Sequence, residues 1–134
     1  DGESLTLGDI TLTAHATPGH APGGTSWSWR DCEGERYLDL VFADSLNPVS
    51  HDDFHFGEGN RAAIFRSSIA KVRGLPCDLL VSAHPSQSQL FERVDRGEVI
   101  DPEACKAYAD DAEQRLTERL GEERAADPAT TGLR

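Results

Sequence analysis

The chain has 134 residues, the size of one domain, and its 37% hydrophobic content allows a lean core. Thirteen basic residues against 24 acidic ones leave a net charge of −11, which argues against nucleic acid or an anionic membrane surface as a partner. No apolar run approaches the roughly 18 residues of a membrane span, and the Asp1-Gly2-Glu3 opening resembles no secretory signal.

The first elements read as strands. Leu5, Leu7, Ile10, Leu12 and Ala14 fall close to every second position around a Gly8-Asp9 break, which predicts a hairpin ending near His15. Thr25 to Trp29 is rich in strand formers, with Trp27 and Trp29 on one face. Asp31 to Glu35 reads as a turn, and Arg36 to Ala43 alternates again through Tyr37, Leu38, Leu40 and Phe42.

Composition then changes. Asn47 to Gly59 reads as loop, and Asn60 as the N-cap of a helix to about Arg73 with Phe65, Ile69 and Val72 as its buried stripe. Cys77 to Ala83 fits a central strand that delivers His84. Asp101-Pro102 is a helix start, and Ala104, Tyr108, Ala112, Leu116 and Leu120 recur at every fourth residue as one apolar face. Gly121 is expected to close that helix, with residues 122–134 a polar, frayed tail beyond a single domain of residues 1–121. A sequence with no Met is expected to be a processed, excised or truncated piece.

Several residues could carry chemistry. His20 lies in Thr17-Pro18-Gly19-His20-Ala21-Pro22-Gly23-Gly24, where prolines and glycines leave the backbone few shapes and so hold an imidazole in place outside a helix or strand. His84 sits at the mouth of an apolar strand, held extended by Pro85. Asp44, Ser45 and Asn47 place a carboxylate, a hydroxyl and an amide where a strand opens into a loop. Such a cluster can bind a metal, orient a water or hold a substrate carbonyl, and it equally fits a capped turn. His51 and His55 would share a face only on a helix, and Pro48, Gly57 and Gly59 make their segment a solvated loop. His15 reads as a strand-end residue near the site, not a ligand. Of Cys32, Cys77 and Cys105, two could form one disulfide, and no C-x-x-C pair suggests a zinc knuckle.

T-P-G-H-A-P-G, A-D-S-L-N-P and S-A-H-P-S, in this order, resemble the metallo-β-lactamases of subclass B3 from about Thr6 to Leu120. The resemblance implies an α/β fold: the C-terminal half of an αββα sandwich, one mixed sheet with covering helices. It implies His20 and His84 as ligands of two zinc ions, one completing each metal site. It implies Ser45 as the residue that orients metal-bound water, Asn47 as a contact to the substrate carboxylate, and Asp44 as a residue behind the ligands. It also implies a Cys77–Cys105 disulfide worth roughly 3–4 kcal/mol in the chain-entropy model. Some relatives have a second cysteine where this chain has Tyr37, so Cys32 is expected to be a free thiol. The family's H-x-H-x-D-H motif, source of four of the six zinc ligands, is absent from the sequence.

The implied activity of the parent protein is β-lactam hydrolysis by metal-bound hydroxide, in the periplasm or outside the cell. The isolated chain, lacking the other half of the sandwich, is expected to be inactive. Two alternatives stay open: another hydrolase of this fold, such as a lactonase or a glyoxalase II-like thioesterase, or a catalytically silent chain that binds metal weakly.

Overall fold

A computed structural model describes residues 1–128. Five strands, β1 (Ser4–Leu7), β2 (Ile10–Ala16), β3 (Thr25–Glu33), β4 (Arg36–Ala43) and β5 (Leu79–Ser82), form one sheet in sequence order. The first four make an antiparallel meander, whereas β5 runs parallel to β4 with Val41 opposite Leu80 and Ala43 opposite Ser82. A parallel pair needs a crossover, and α1 (Arg61–Gly74) supplies it. Two further helices follow, α2 (Leu90–Asp95) and α3 (Ala104–Ala126).

The strand period of two divides the sheet into unlike faces. Val41, Ala43 and Leu80 point to the helices and are buried with Phe65, Ile69 and Val72 of α1 and Tyr108, Ala112, Leu116 and Leu120 of α3. Cross-strand neighbours on the opposite face are Ala14, Trp27, Phe42 and Val81, joined by Trp29, Leu40 and Leu79. These side chains are half-buried, and no helix covers them. This is half of a sandwich, as expected: one mixed sheet with helices on one side.

Four local expectations change. β5 is not central; it forms the sheet's edge among the described residues, where Leu79 bridges Ile100 instead of meeting another strand. The Asn60 side chain makes no capping bond, and the helix entry is closed by its carbonyl, which accepts from the Ile64 N–H at 3.0 Å. Asp101 does accept the Glu103 N–H, but regular helix begins only at Ala104. Gly121 does not end α3, which continues to Ala126; residues 129–134 of the expected tail lie outside the described residues.

The reason α3 continues is Glu123. Its carboxylate accepts the N–H groups of Phe56 and Gly57, both at 2.8 Å, and bonds Arg119, which itself donates to the Phe54 carbonyl. The far end of α3 is thereby tied to the Asn47–Gly59 loop. At the near end Cys105 is bonded to Cys77, as expected, and Cys32 is free and exposed. No helix among the described residues is long and apolar enough to cross a membrane.

Two measurements test these ties. Burial raises the Glu123 carboxyl, but its bonds from Phe56, Gly57 and Arg119 outweigh that and hold it below the usual carboxylate range. A lowered folded pKa stabilises above the unfolded value of about 4.3 and loses that contribution as pH falls through the folded one. Glu123→Ala therefore costs about 1.5–3 kcal/mol at pH 7, the scale of hydrogen bonds to a charge. In urea titrations the gap to the native chain narrows below about pH 4. Reducing the disulfide, whose cysteines lie 28 positions apart, lowers unfolding free energy by roughly 3–4 kcal/mol.

Candidate metal centre

Three segments leave the sheet at the same end. Strands two apart in a meander point the same way, and β5 is parallel to β4, so β2, β4 and β5 all deliver their C-terminal loops there. These loops carry His20, Asp44 to Asn47, and His84. Their convergence is a consequence of topology.

The His20 loop is seated on α1. The Ser68 hydroxyl donates to the Pro18 carbonyl at 2.6 Å, and the Lys71 ammonium donates to the Ala16 carbonyl at 2.8 Å. Gly19 has φ +147°, and a Cβ there would lie 2.7 Å from the Phe65 ring. Gly24 is required for closeness alone: its Cβ would sit 2.5 Å from the Thr17 carbonyl oxygen and 3.0 Å from an Asp44 carboxylate oxygen. Buried Thr17 and Ser26 share a hydroxyl bond at 2.9 Å, and Ser26 accepts the Asp44 N–H at 3.0 Å. The first loop is thus stitched to the second.

His20 Nδ1 lies 2.8 Å from the Asn47 carbonyl oxygen. A carbonyl only accepts, so Nδ1 carries a proton there and Nε2 is the nitrogen left to face a ligand. The His20 and His84 rings are edge-to-face with centroids 6.5 Å apart, and both residues are exposed. Two imidazoles this close, one presenting Nε2 away from its carbonyl partner, have the chemistry of metal donors. Among the described residues no group of three or more His, Cys, Asp or Glu side chains could hold a metal.

In the Asp44–Asn47 segment beside this pair, Ser45 and Leu46 are buried and Asp44 and Asn47 half-buried. Ser45 is 3% exposed and its Oγ accepts the Asn47 N–H at 3.3 Å, so the hydroxyl proton is still available to donate. The Asp44 carbonyl accepts the Tyr108 hydroxyl at 2.9 Å, and burial raises the pKa of that phenol. Tyr108 reads in the sequence only as part of an apolar stripe; its hydroxyl anchors the cluster to α3.

The other histidines lie apart from this arrangement. His15 Nε2 is bonded to the Ser28 hydroxyl at 2.7 Å, and burial lowers its pKa, with Lys71 and the terminal ammonium adding to the shift. His51 and His55 occupy turns between Asn47 and Asn60, His51 against the Phe54 ring.

No protein-family model matches the chain. Solved structures do. The Rm3 metallo-β-lactamase is 45% identical with a TM-score of 0.88 over 92% of this chain and 50% of its own. MEM-A1, a subclass B3 metallo-β-lactamase isolated from a soil metagenome library, is 39% identical with a TM-score of 0.91 over 95% and 52%. The chain is similar to one half of the subclass B3 metallo-β-lactamases. The metallo-β-lactamase MIM-1 from Novosphingobium pentaromativorans is a further match, 40% identical with a TM-score of 0.86 over 93% of this chain and 47% of that one. The chain spans about half the length of these metallo-β-lactamases. Its single sheet and helices match one half of their fold.

Gly19→Ala tests how the His20 loop is seated. The added methyl must displace Phe65 or the loop, so urea unfolding should report a loss of about 1–3 kcal/mol, the range for overpacking. Unchanged stability would mean that Gly19 does not bear on Phe65.

Proposed function

We propose that this chain contributes His20 and His84 to a zinc-dependent β-lactam hydrolase whose remaining metal donors lie outside it. The observation that carries this reading is the convergence of two imidazoles, 6.5 Å apart, from loops at one end of the sheet. The similarity to subclass B3 enzymes supports the reaction class, and the half-length match supports a site completed by a second half-domain. The open apolar face with Trp27, Trp29, Phe42 and Val81 is the surface a second sheet of a sandwich would cover.

Zinc bound there supplies a Lewis acid and lowers the pKa of a coordinated water to about 7. The residues of this chain do the rest. His20 would hold one ion through Nε2 while the Asn47 carbonyl holds its other nitrogen, and His84 would hold the second ion. The Ser45 hydroxyl, its lone pair engaged by the Asn47 N–H, donates to the nucleophilic water and orients it. The Asn47 side chain contacts the substrate carboxylate, and Asp44 supports the ligands from behind. Ser45 is not a nucleophile, and no acyl-enzyme forms on it. The disulfide supports an exported, oxidising location such as the periplasm, and resistance to β-lactam antibiotics is the role such an activity would serve.

In the full-length protein, His20→Ala and His84→Ala should each lower bound zinc and reduce β-lactam hydrolysis by about a hundredfold or more, as loss of a ligand exceeds the 10–100-fold typical of residues behind ligands. Metal analysis and a carbapenem assay read both effects. Full zinc content and hydrolysis in both variants would refute the ligand assignment. Faster turnover of an acyl-homoserine lactone than of the carbapenem would move the protein to another hydrolase class. The isolated 134-residue chain should bind zinc weakly and turn over no β-lactam.

A further inference from the structure

The two imidazoles are held in different ways. His20 is fixed through its ring, by the bond from Nδ1 to the Asn47 carbonyl. The His84 ring makes no hydrogen bond among the described residues, so where it can reach is set by the backbone that carries it and by its edge-to-face contact with His20. Three constraints act on that backbone. Pro85 keeps residue 84 extended, with φ −115° and ψ 103°. The Gln87 N–H donates to the His84 carbonyl at 2.9 Å. The third is a hydroxyl: buried Ser82, 3% exposed, donates its Oγ proton to the same carbonyl at 2.8 Å.

Ser82 has a single proton, and the His84 carbonyl takes it. The 2.7 Å contact between the Ser82 and Ser88 hydroxyls therefore has Ser88 as donor, in preference to its longer 3.3 Å contact with the Pro85 carbonyl. Ser88 closes the turn that begins at His84, and the next residue, Gln89, adopts φ +52°, the one positive value outside glycine among the described residues. The chain that leaves β5 is thus folded back onto the strand by a relay from Ser88 to Ser82 to the His84 carbonyl.

We infer that Ser82 is a positioning residue for His84, aiming its imidazole at the His20 ring by anchoring the His84 carbonyl through a hydroxyl relay from Ser88. The value of this arrangement for metal binding rests on the zinc reading above; the aiming itself does not. A buried hydroxyl that held only the turn would leave the relation between the two rings unchanged.

The test uses the 134-residue chain, isotope-labelled, with zinc chloride as the probe. In the native chain, NMR should give a nuclear Overhauser contact between the His20 and His84 rings, and zinc should shift both rings. In Ser82→Ala the ring-to-ring contact should be lost, and the zinc concentration needed to shift His84 should rise about tenfold, the lower end for residues that orient ligands. Ser82→Thr, which keeps the hydroxyl on a β-branched frame suited to a strand, should restore both. Ser88→Ala should weaken the contact in the same sense, and it decides the matter if Ser82→Ala fails to fold. A ring contact and His84 zinc response that persist unchanged in the folded alanine variants would overturn the inference. If zinc shifts neither ring in the native chain while Ser82→Ala still abolishes the contact, the positioning role stands, and the metal reading is decided by the full-length His20→Ala and His84→Ala variants.

Discussion

Parallel pairing of β4 with β5 is the constraint on which the arrangement of the site depends. An antiparallel partner in that position would send its following loop to the opposite end of the sheet, about a strand length from His20. The crossover through α1 forces the parallel choice, and the same helix then receives the His20 loop through Phe65, Ser68 and Lys71. One element thus sets the direction of the strand that delivers His84 and supports the loop that delivers His20.

α3 has the complementary task. It is joined to the β5 approach by Cys77–Cys105, to the Asp44 carbonyl by Tyr108, and to the Phe54–Gly57 turn by Arg119 and Glu123. These anchors fall along one face of the helix, and each reaches a different irregular segment. Loops hold their shape here because polar groups of a rigid helix satisfy their backbone donors and acceptors. Ion pairs on the outer surface, such as Arg66–Glu113, add little by comparison.

Much of this was legible in the sequence. Alternation marked the meander, and the Phe65, Ile69, Val72 stripe marked α1, because period and burial coincide there. The Pro-Gly context of His20 and the Pro after His84 identified fixed imidazoles, and the geometry brings those two rings together. The edge position of β5 was not legible, since an apolar run reports burial and not the number of neighbouring strands. Its edge is covered by a bridge to Ile100 and by polar links, which leave no periodic trace. The extension of α3 past Gly121 was hidden for a similar reason: Glu123 looks like one more surface acid until its contacts with a loop 66 positions away are seen. Short hydroxyl spacings around S-A-H-P-S-Q-S were the available signal for the Ser82 relay.

The chain's two tryptophans, Trp27 and Trp29, stand on the uncovered side of the sheet and none lies in the helix-covered core. Tryptophan emission from this molecule therefore monitors that single surface. Whatever comes to rest on it, from a complementary half-domain to a detergent micelle, will exclude solvent from both indoles and blue-shift their fluorescence, with no label required.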